Sequence, residues 1–464
     1  MEKHRKWFVL AIVAFLNYLL FIGTCRYGLA LEVDSANYFS AAQSLAKGNG
    51  FLQFDEFRYL NAPPLYPIVL SLGYLLGLPI QAYALVLHFF LFNGSLYFLF
   101  CILQKRLNLN HVPMYLFFAG GFYFNFFHVF LFALSEAGFV FLLLAWVNEL
   151  LKEEDRSEVL LAVLLGLLCM QRYAIWLLLP GILIVWFKQK KKILWMLGQL
   201  LPALLFSGLW WYRNFLVSGT PFGQHKVEDK ISLEAFGINL LRLFTGVLEH
   251  LNLFVPLLFF ALILFLGSAL HRKLRGKGRE YVHLVIAMSS SYLILLLLQE
   301  NISFIQMPRY LAVLWPLVLL IAAIYLDAFA WPTWTKVLLV MAFLVPQTIL
   351  LQHHLQIKAQ YGAGGYHSND WMYWKNRDLE QKIPEGKLVS NYPDMVWWIT
   401  DRHCEYTPFK DENKVDYYQR VERGKILIWF RKNERKHVMN MDFRNSLPVE
   451  QIYALNACEV SRIK

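Results

Sequence analysis

Several familiar signatures are missing from this chain. No G-x-x-x-x-G-K-[ST] loop occurs, and no G-x-G-x-x-G follows an expected strand. That argues against an ATP-driven pump and against a soluble domain for nucleotide-sugars. No H-E-x-x-H and no Cys/His zinc spacing is present either. Cysteine is sparse: Cys25, Cys101, Cys169, Cys404 and Cys458 stand apart with no CxxC between them. Cys101 and Cys169 fall in apolar runs and are expected in the core. Cys404 and Cys458 share the C-terminal region, and the sequence leaves open whether they pair. The N-terminus has a charged start and an apolar run, as a signal peptide does, but lacks an Ala-x-Ala cleavage site. A retained first helix is expected.

What is present is apolar surface in excess. Hydrophobic residues make up 57% of 464 and aromatics 17%, with a mean hydropathy of +0.41. That composition belongs to a polytopic membrane protein. The net charge is +11, yet the cations form no single solvated stripe for nucleic acid. They cluster as Lys3-Arg5-Lys6, Lys105-Arg106, Lys188 to Lys192 and Arg272 to Arg279, each beside an apolar run. Such clusters hold helix ends against an anionic cytoplasmic leaflet.

A span needs roughly 20 mainly apolar residues. About eleven transmembrane helices are expected, near 7–24, 81–103, 112–129, 131–151, 158–171, 173–187, 193–212, 245–268, 281–298, 309–327 and 334–352. An odd number of crossings from a cytoplasmic N-terminus puts the C-terminus outside. The apolar stretch from Pro63 to Gly77 competes as a further span. Counting it would turn the Lys188–Lys192 and Arg272–Arg279 clusters outward, so it is expected as an interfacial helix instead. The chain then divides into a transmembrane module, 1–352, with a first external loop at 25–80, and an external domain, 353–464. The Gly-rich stretch Tyr361 to Gly365 opens that domain as a link. Helix Asn369–Lys382, strand Lys387–Asn391, a short helix from Pro393, a helix near 412–423 and strand Lys425–Phe430 are expected to follow, as a small α/β layer.

With this orientation the residues able to do chemistry gather on the external side: Asp34, Glu136, Arg172, Trp211-Tyr212-Arg213-Asn214 and Arg309-Tyr310. On chemistry alone Asp34, followed by Ser35 and an Ala-rich helix that Gly48 ends, reads as an ordinary helix N-cap. Glu136 or Ser135 could likewise cap a span. Arginines at helix ends commonly snorkel, and Tyr38, Trp211 and Tyr310 fit an interfacial aromatic belt as well as a sugar platform. His225 fits a solvated loop residue or a phosphate or metal contact.

The order of the motifs narrows this. Asp34 lies four residues before Tyr38, in an Ala-rich helix followed by Leu45-Ala46-Lys47-Gly48 and then Pro63-Pro64-Leu65-Tyr66-Pro67. Leu134-Ser135-Glu136 opens a span, and Gly166-Leu167-Leu168 leads to Arg172. Tyr212-Arg213-Asn214-Phe215 runs to Ser218-Gly219-Thr220-Pro221, and Pro308-Arg309-Tyr310 opens a late span. Val389 to Asp394, followed by Thr400-Asp401-Arg402, completes the series. Over most of its length the chain resembles the C-class (GT-C) glycosyltransferases of the protein O-mannosyltransferase and lipid A aminoarabinose transferase type, the family-39-like group. Where that family often carries Asp-Glu, this chain has Asp34-Ser35, which puts metal dependence in doubt. The literal Asp55-Glu56 pair falls after the helix and reads as loop surface.

The resemblance implies a GT-C membrane fold and transfer of a sugar from a polyprenyl-phosphate carrier to a hydroxyl of a glycan, lipid or protein. Asp34 would be the general base. Arg213 and Arg309, backed by Arg172 and Arg58, would bind the donor phosphate, since guanidinium donors match phosphate oxygens. Glu136, Tyr38, Tyr310 and His225 would serve the acceptor or sugar. No cofactor is implied with certainty, a divalent metal stays open, and the setting expected is a bacterial inner membrane with its periplasmic face. The rival classes are a flippase for lipid-linked sugars and an O-antigen ligase or polymerase. Transporters place ionisable groups or broken helices at the midplane, and these spans carry few. Ligases centre on a large late external loop, whereas here the first loop is longest.

Overall fold

The structure, a computed structural model, describes residues 2–60, 62–120, 124–221, 232–240, 265, 274, 276–298, 307–329, 331–361, 379–407, 423–431, 444, 447–455 and 458–464. Its helices begin with α1 (Glu2–Thr24), α2 (Val33–Ala46), α3 (Leu65–Leu75), α4 (Ile80–Cys101), α5 (Val112–Gly120) and α6 (Phe124–Leu131). They continue with α7 (Glu136–Leu150), α8 (Glu158–Gln171), α9 (Ala174–Lys188), α10 (Ile193–Ser218), α11 (Gly276–Leu297), α12 (Met307–Ala312), α13 (Trp315–Ala328) and α14 (Thr333–Tyr361). The C-terminal region holds α15 (Leu379–Lys382), β1 (Leu388–Ser390), α16 (Pro393–Thr400), β2 (Cys404–Tyr406), β3 (Ile426–Phe430), β4 (Val449–Leu455) and β5 (Cys458–Ile463).

Four helical stretches among the described residues are long and apolar enough to cross a membrane: Lys6–Thr24, Ile80–Arg106, Ile193–Ser218 and Gly276–Leu297. Most other expected spans are shorter helices, and the one at 245–268 falls almost wholly outside the described residues. The expected span 309–327 is two helices, α12 and α13. Pro316 sits in the first turn of α13; a proline there lacks its N–H and would clash with the carbonyl four residues back, so one continuous helix cannot form. α10 shows why lipid is the solvent. Leu194, Leu197, Leu201, Leu205 and Leu209 are exposed at helical spacing, while Gln199, Ala203, Ser207, Trp210 and Asn214 are buried. An apolar stripe of that extent is not left facing water.

Contacts divide the chain into two compact units. The first is Met1–Arg26, Leu60–Tyr66 and Ala84–Gln360; the second is Tyr27–Tyr59, Pro67–Tyr83 and Tyr361–Lys464. Most of the first external loop therefore groups with the C-terminal domain, and α14 carries on past the expected end at 352 to Tyr361.

In the first unit, small and polar residues let helices meet. A Cβ on Gly181 of α9 would lie 2.3 Å from the Ala287 carbonyl oxygen of α11, so glycine allows the two backbones to touch. Asn17 of α1 and Asn93 of α4 exchange amide hydrogen bonds of 2.8 Å in both directions. His88, fully buried in α4, stands 2.9 Å from the Tyr66 hydroxyl and 3.2 Å from the Phe130 carbonyl oxygen. A carbonyl can only accept, so Nδ1 carries the proton and Nε2 accepts from Tyr66. That bond is what the tyrosine of the Pro-Pro-Leu-Tyr-Pro stretch does.

In the second unit a five-stranded sheet runs in the order β2-β1-β3-β5-β4. β1 is parallel to β2 and β3, and β5 is antiparallel to β3 and β4. Val389, Leu427, Trp429, Leu447 and Ile463 form its core. The expected strands at 387–391 and 425–430 and the helix from Pro393 are present; β2, β4 and β5 were not anticipated. The expected helix at 369–382 is described only over Leu379–Lys382, and that at 412–423 lies outside the described residues.

Cys404 and Cys458 are both free. They stand on β2 and β5, with β1 and β3 between; three strand spacings are about 14 Å, twice the reach of a disulfide. Burial pushes the Cys458 thiol up to about 12 and Cys404 well above the usual thiol range. The loop joins this sheet through backbone: Cys404 N–H donates to the Phe54 carbonyl at 3.0 Å. Phe39 of α2 meets Trp398 at 5.6 Å between ring centres, and Gln43 donates to Asp401 at 2.7 Å.

Candidate functional site

Two groups of candidate residues are found, one in each unit. In the first unit, Glu136 begins α7 and is 2% exposed. Its carboxylate lies 2.7 Å from Nη1 of Arg172, which follows α8. The same nitrogen donates to Ser135 Oγ at 2.9 Å, and Gln171 Nε2 donates to the Ser135 carbonyl at 2.8 Å. Ser135 occupies the N-cap position of α7 without a side-chain cap bond; its hydroxyl serves Arg172 instead. Gly138 makes room for the Gln171 amide, since a Cβ there would fall 2.5 Å from it. The turn before α7 and the turn after α8 are thus latched by one carboxylate, one guanidinium and one amide. Such a buried pair holds its geometry because separating it strands a charge.

Arg213 stands on α10 beside that turn. Its guanidinium lies 4.8 Å from the Trp210 ring and donates to Asn214 Oδ1 at 2.9 Å. The Tyr173 hydroxyl lies close to Trp210, Trp211 and Arg213, and Trp211 meets Trp176 at 5.1 Å. Asn214 is fully buried and its amide donates to the Pro221 carbonyl at 3.3 Å, closing the turn whose Gly219 has φ 74°. Within the Trp211–Asn214 motif, Asn214 is therefore a structural clasp, Tyr212 is exposed, and Arg213 is the half-buried cation. Tyr310 accepts through its carbonyl from the Tyr292 hydroxyl at 3.0 Å. Tyr292 in turn lies within electrostatic range of Arg172 and Glu136. Arg309 sits in α12, with its side chain outside the described residues, and His225 lies outside them altogether.

In the second unit, Asp34 lies in the first turn of α2. It is not the N-cap expected on chemistry alone: that position is Glu32, whose backbone N–H donates to Ser35 Oγ at 3.1 Å. Asp34 is released from capping and sits half-buried where free helix N–H groups favour a carboxylate. Tyr38 is 5% exposed and packs 6.3 Å from the Tyr59 ring, a place in the loop's aromatic core rather than an open platform. Arg58 is exposed, in a short antiparallel bridge with Leu52. Among the described residues no three His, Cys, Asp or Glu side chains gather as a metal site would need.

No family model matches the chain, and no curated protein does. Among solved structures, it is similar to the crystal structure of ArnT from Cupriavidus metallidurans bound to undecaprenyl phosphate. The TM-score is 0.65 at 13% identity, over 98% of this chain and 97% of that one. The apo state of the same ArnT aligns with a TM-score of 0.66 at 12% identity, over 99% and 98%. The chain has the ArnT fold. At these identities the fold alone is what is shared, and it is shared over nearly the whole chain.

Within that ArnT fold the sequence missed His88, Gln171, Tyr173, Trp176 and Tyr292. Gln171 had a usable signal, a polar side chain directly before Arg172 at the end of an apolar run. His88 also had one, as an ionisable residue in the middle of a span. Tyr173, Trp176 and Tyr292 gave none, because aromatic residues at helix ends are common in any membrane protein.

Proposed function

We propose that this chain is an integral-membrane glycosyltransferase. It would move a sugar from a polyprenyl-phosphate carrier to a hydroxyl of a glycan, lipid or protein acceptor at the external face. The observation that carries this reading is the agreement of fold over nearly the whole chain with a protein that binds undecaprenyl phosphate. The buried Glu136–Arg172 pair and the half-buried Arg213 support it, because a lipid phosphate leaving group needs cations held in place.

In this mechanism the Asp34 carboxylate takes the proton of the acceptor hydroxyl as its oxygen bonds to the anomeric carbon. The bond from that carbon to the phosphate oxygen breaks, and the polyprenyl phosphate leaves with the electron pair. Arg213, Arg309 and Arg172, with Arg58, draw the charge that develops on the phosphate. Glu136 acts through Arg172 as its positioning residue, and Tyr310 and His225 serve the sugar or acceptor. A basic, cytoplasmic N-terminus and an external C-terminal domain follow from the placement of the Lys and Arg clusters.

Transfer from radiolabelled polyprenyl-phosphate sugars, measured with purified protein in lipid with and without chelator, tests the reading. Turnover by the wild type supports it, and the chelator arm decides the metal. Movement of the donor across the bilayer without transfer would favour a flippase.

A further inference from the structure

The end of the first unit opposite Arg172 carries a second set of charged side chains that the proposed reaction does not use. It is built on Glu158, the first residue of α8, and Trp195, near the start of α10. Glu158 Oε1 receives Arg156 through Nε at 2.9 Å and Nη2 at 2.5 Å. Its Oε2 receives the Trp195 indole N–H at 2.9 Å and Gln199 at 3.0 Å. The carboxylate is thus fully engaged as a bracket, and what it holds out is a cation and a ring. Arg156 lies 6.0 Å and Lys191 5.3 Å from the centre of that ring, with Trp186 set edge-on at 5.0 Å.

Two hollows lie on either side of this cluster: Trp195 lines one, and Arg156, Lys191 and Trp186, which pack around its ring, line the other. One, of about 380 Å3, has Arg156, Lys191, Gln189 and Glu280 around a floor that includes Trp186 and Leu151. The other, also about 380 Å3, lies along α8 and α10 and is lined by Val159, Ala162, Val163, Gly198, Leu201 and Pro202. Gly198 opens it: a Cβ there would meet nothing within 4 Å. A polar hollow with two cations, set beside an apolar groove through the Arg156–Glu158 pair and the Trp195 ring, suits a lipid headgroup and its chain. Glu280 lines the polar hollow, and Glu153, Glu154 and Asp155 stand exposed on the loop before Arg156, while Lys190 and Lys192 stand exposed beside Lys191. The cations that line the hollow itself are Arg156 and Lys191. An indole and cations at such a level are also the usual furniture of the headgroup region.

We propose that this end of the first unit binds an anionic glycerophospholipid, with its phosphate between Arg156 and Lys191 and one acyl chain in the α8–α10 groove. The proposal depends on the chain spanning a membrane and not on its being a transferase. The test is native mass spectrometry of the delipidated protein in detergent, titrated with phosphatidylglycerol, with phosphatidylcholine of the same chains, and with inorganic phosphate as competitor. The wild type should hold phosphatidylglycerol more tightly than phosphatidylcholine, and millimolar phosphate should not displace it. Lys191→Gln should weaken binding about fivefold. Gly198→Leu, whose side chain would fill the groove, should weaken it too, with its thermal unfolding unchanged. Equal binding of the two lipids, or equal binding by wild type and both variants, would overturn the proposal. Displacement by inorganic phosphate would overturn it as well, making the hollow a site for free phosphate.

Discussion

The helix α8 has an arginine–carboxylate pair at each end, and the two pairs are not alike. At one end Arg172 and Glu136 meet at 2.7 Å with the carboxylate 2% exposed; at the other Arg156 and Glu158 meet at 2.5 Å with the carboxylate 41% exposed. Distance alone would rank the exposed pair first. Burial reverses the order. A solvated pair gains little because water screens both charges, whereas a buried pair cannot be opened without leaving a charge unpaired. The buried end fixes Arg172 for the proposed chemistry; the exposed end sets Arg156 beside Trp195 for the proposed lipid site.

The comparison is broken most severely at Glu136. Glu136→Ala should lower stability by about 3–5 kcal/mol in detergent unfolding, and replacing Arg172 by Met as well should recover part of the loss. A loss equal to that of an exposed pair would contradict the burial argument. Midway between the two ends, Gly181→Ala should cost about 1–3 kcal/mol by forcing α9 from the Ala287 carbonyl. A neutral result would mean that the two backbones are not in contact. Glu158→Gln should cost no more than about 1 kcal/mol, and the same unfolding assay should barely register it while phosphatidylglycerol binding falls. A loss as large as that at Glu136 would erase the distinction between the ends.

The helices were legible wherever the apolar run carried the signal. Both ends of α8 and α9, the C-terminal end of α1 and the start of α10 fall close to expectation, whereas α10 runs on to Ser218, past the expected end at 212. Legibility failed where one local feature overrode the run. Pro316 divides α12 from α13. In the C-terminal domain β5 alternates apolar and polar residues only from Cys458 to Ser461 before Arg462 breaks the pattern. That run is too short to mark a strand, and the burial of Glu459 and Ser461 depends on partners the run does not show. Glu459 is paired with Arg431 and Arg444, and pairing across 15 to 28 positions cannot be read from spacing. The same holds for the site. Arg172 and Glu136 were each visible as polar residues at the ends of apolar runs, but that they pair with one another, and that Ser135 and Gln171 serve the pair, needs the fold. Asp34 was the reverse case: the local chemistry pointed to an N-cap, and the Glu32–Ser35 contact takes that duty from it.

Asp34 is also where the account is tested most directly. Sugar transfer from a polyprenyl-phosphate donor should be measured for wild type beside Asp34→Asn, with both proteins shown to be folded. Loss of a general base predicts a fall in rate of about 10²- to 10⁴-fold. Equal rates for the two proteins would contradict the assignment and return Asp34 to a structural part in the first turn of α2.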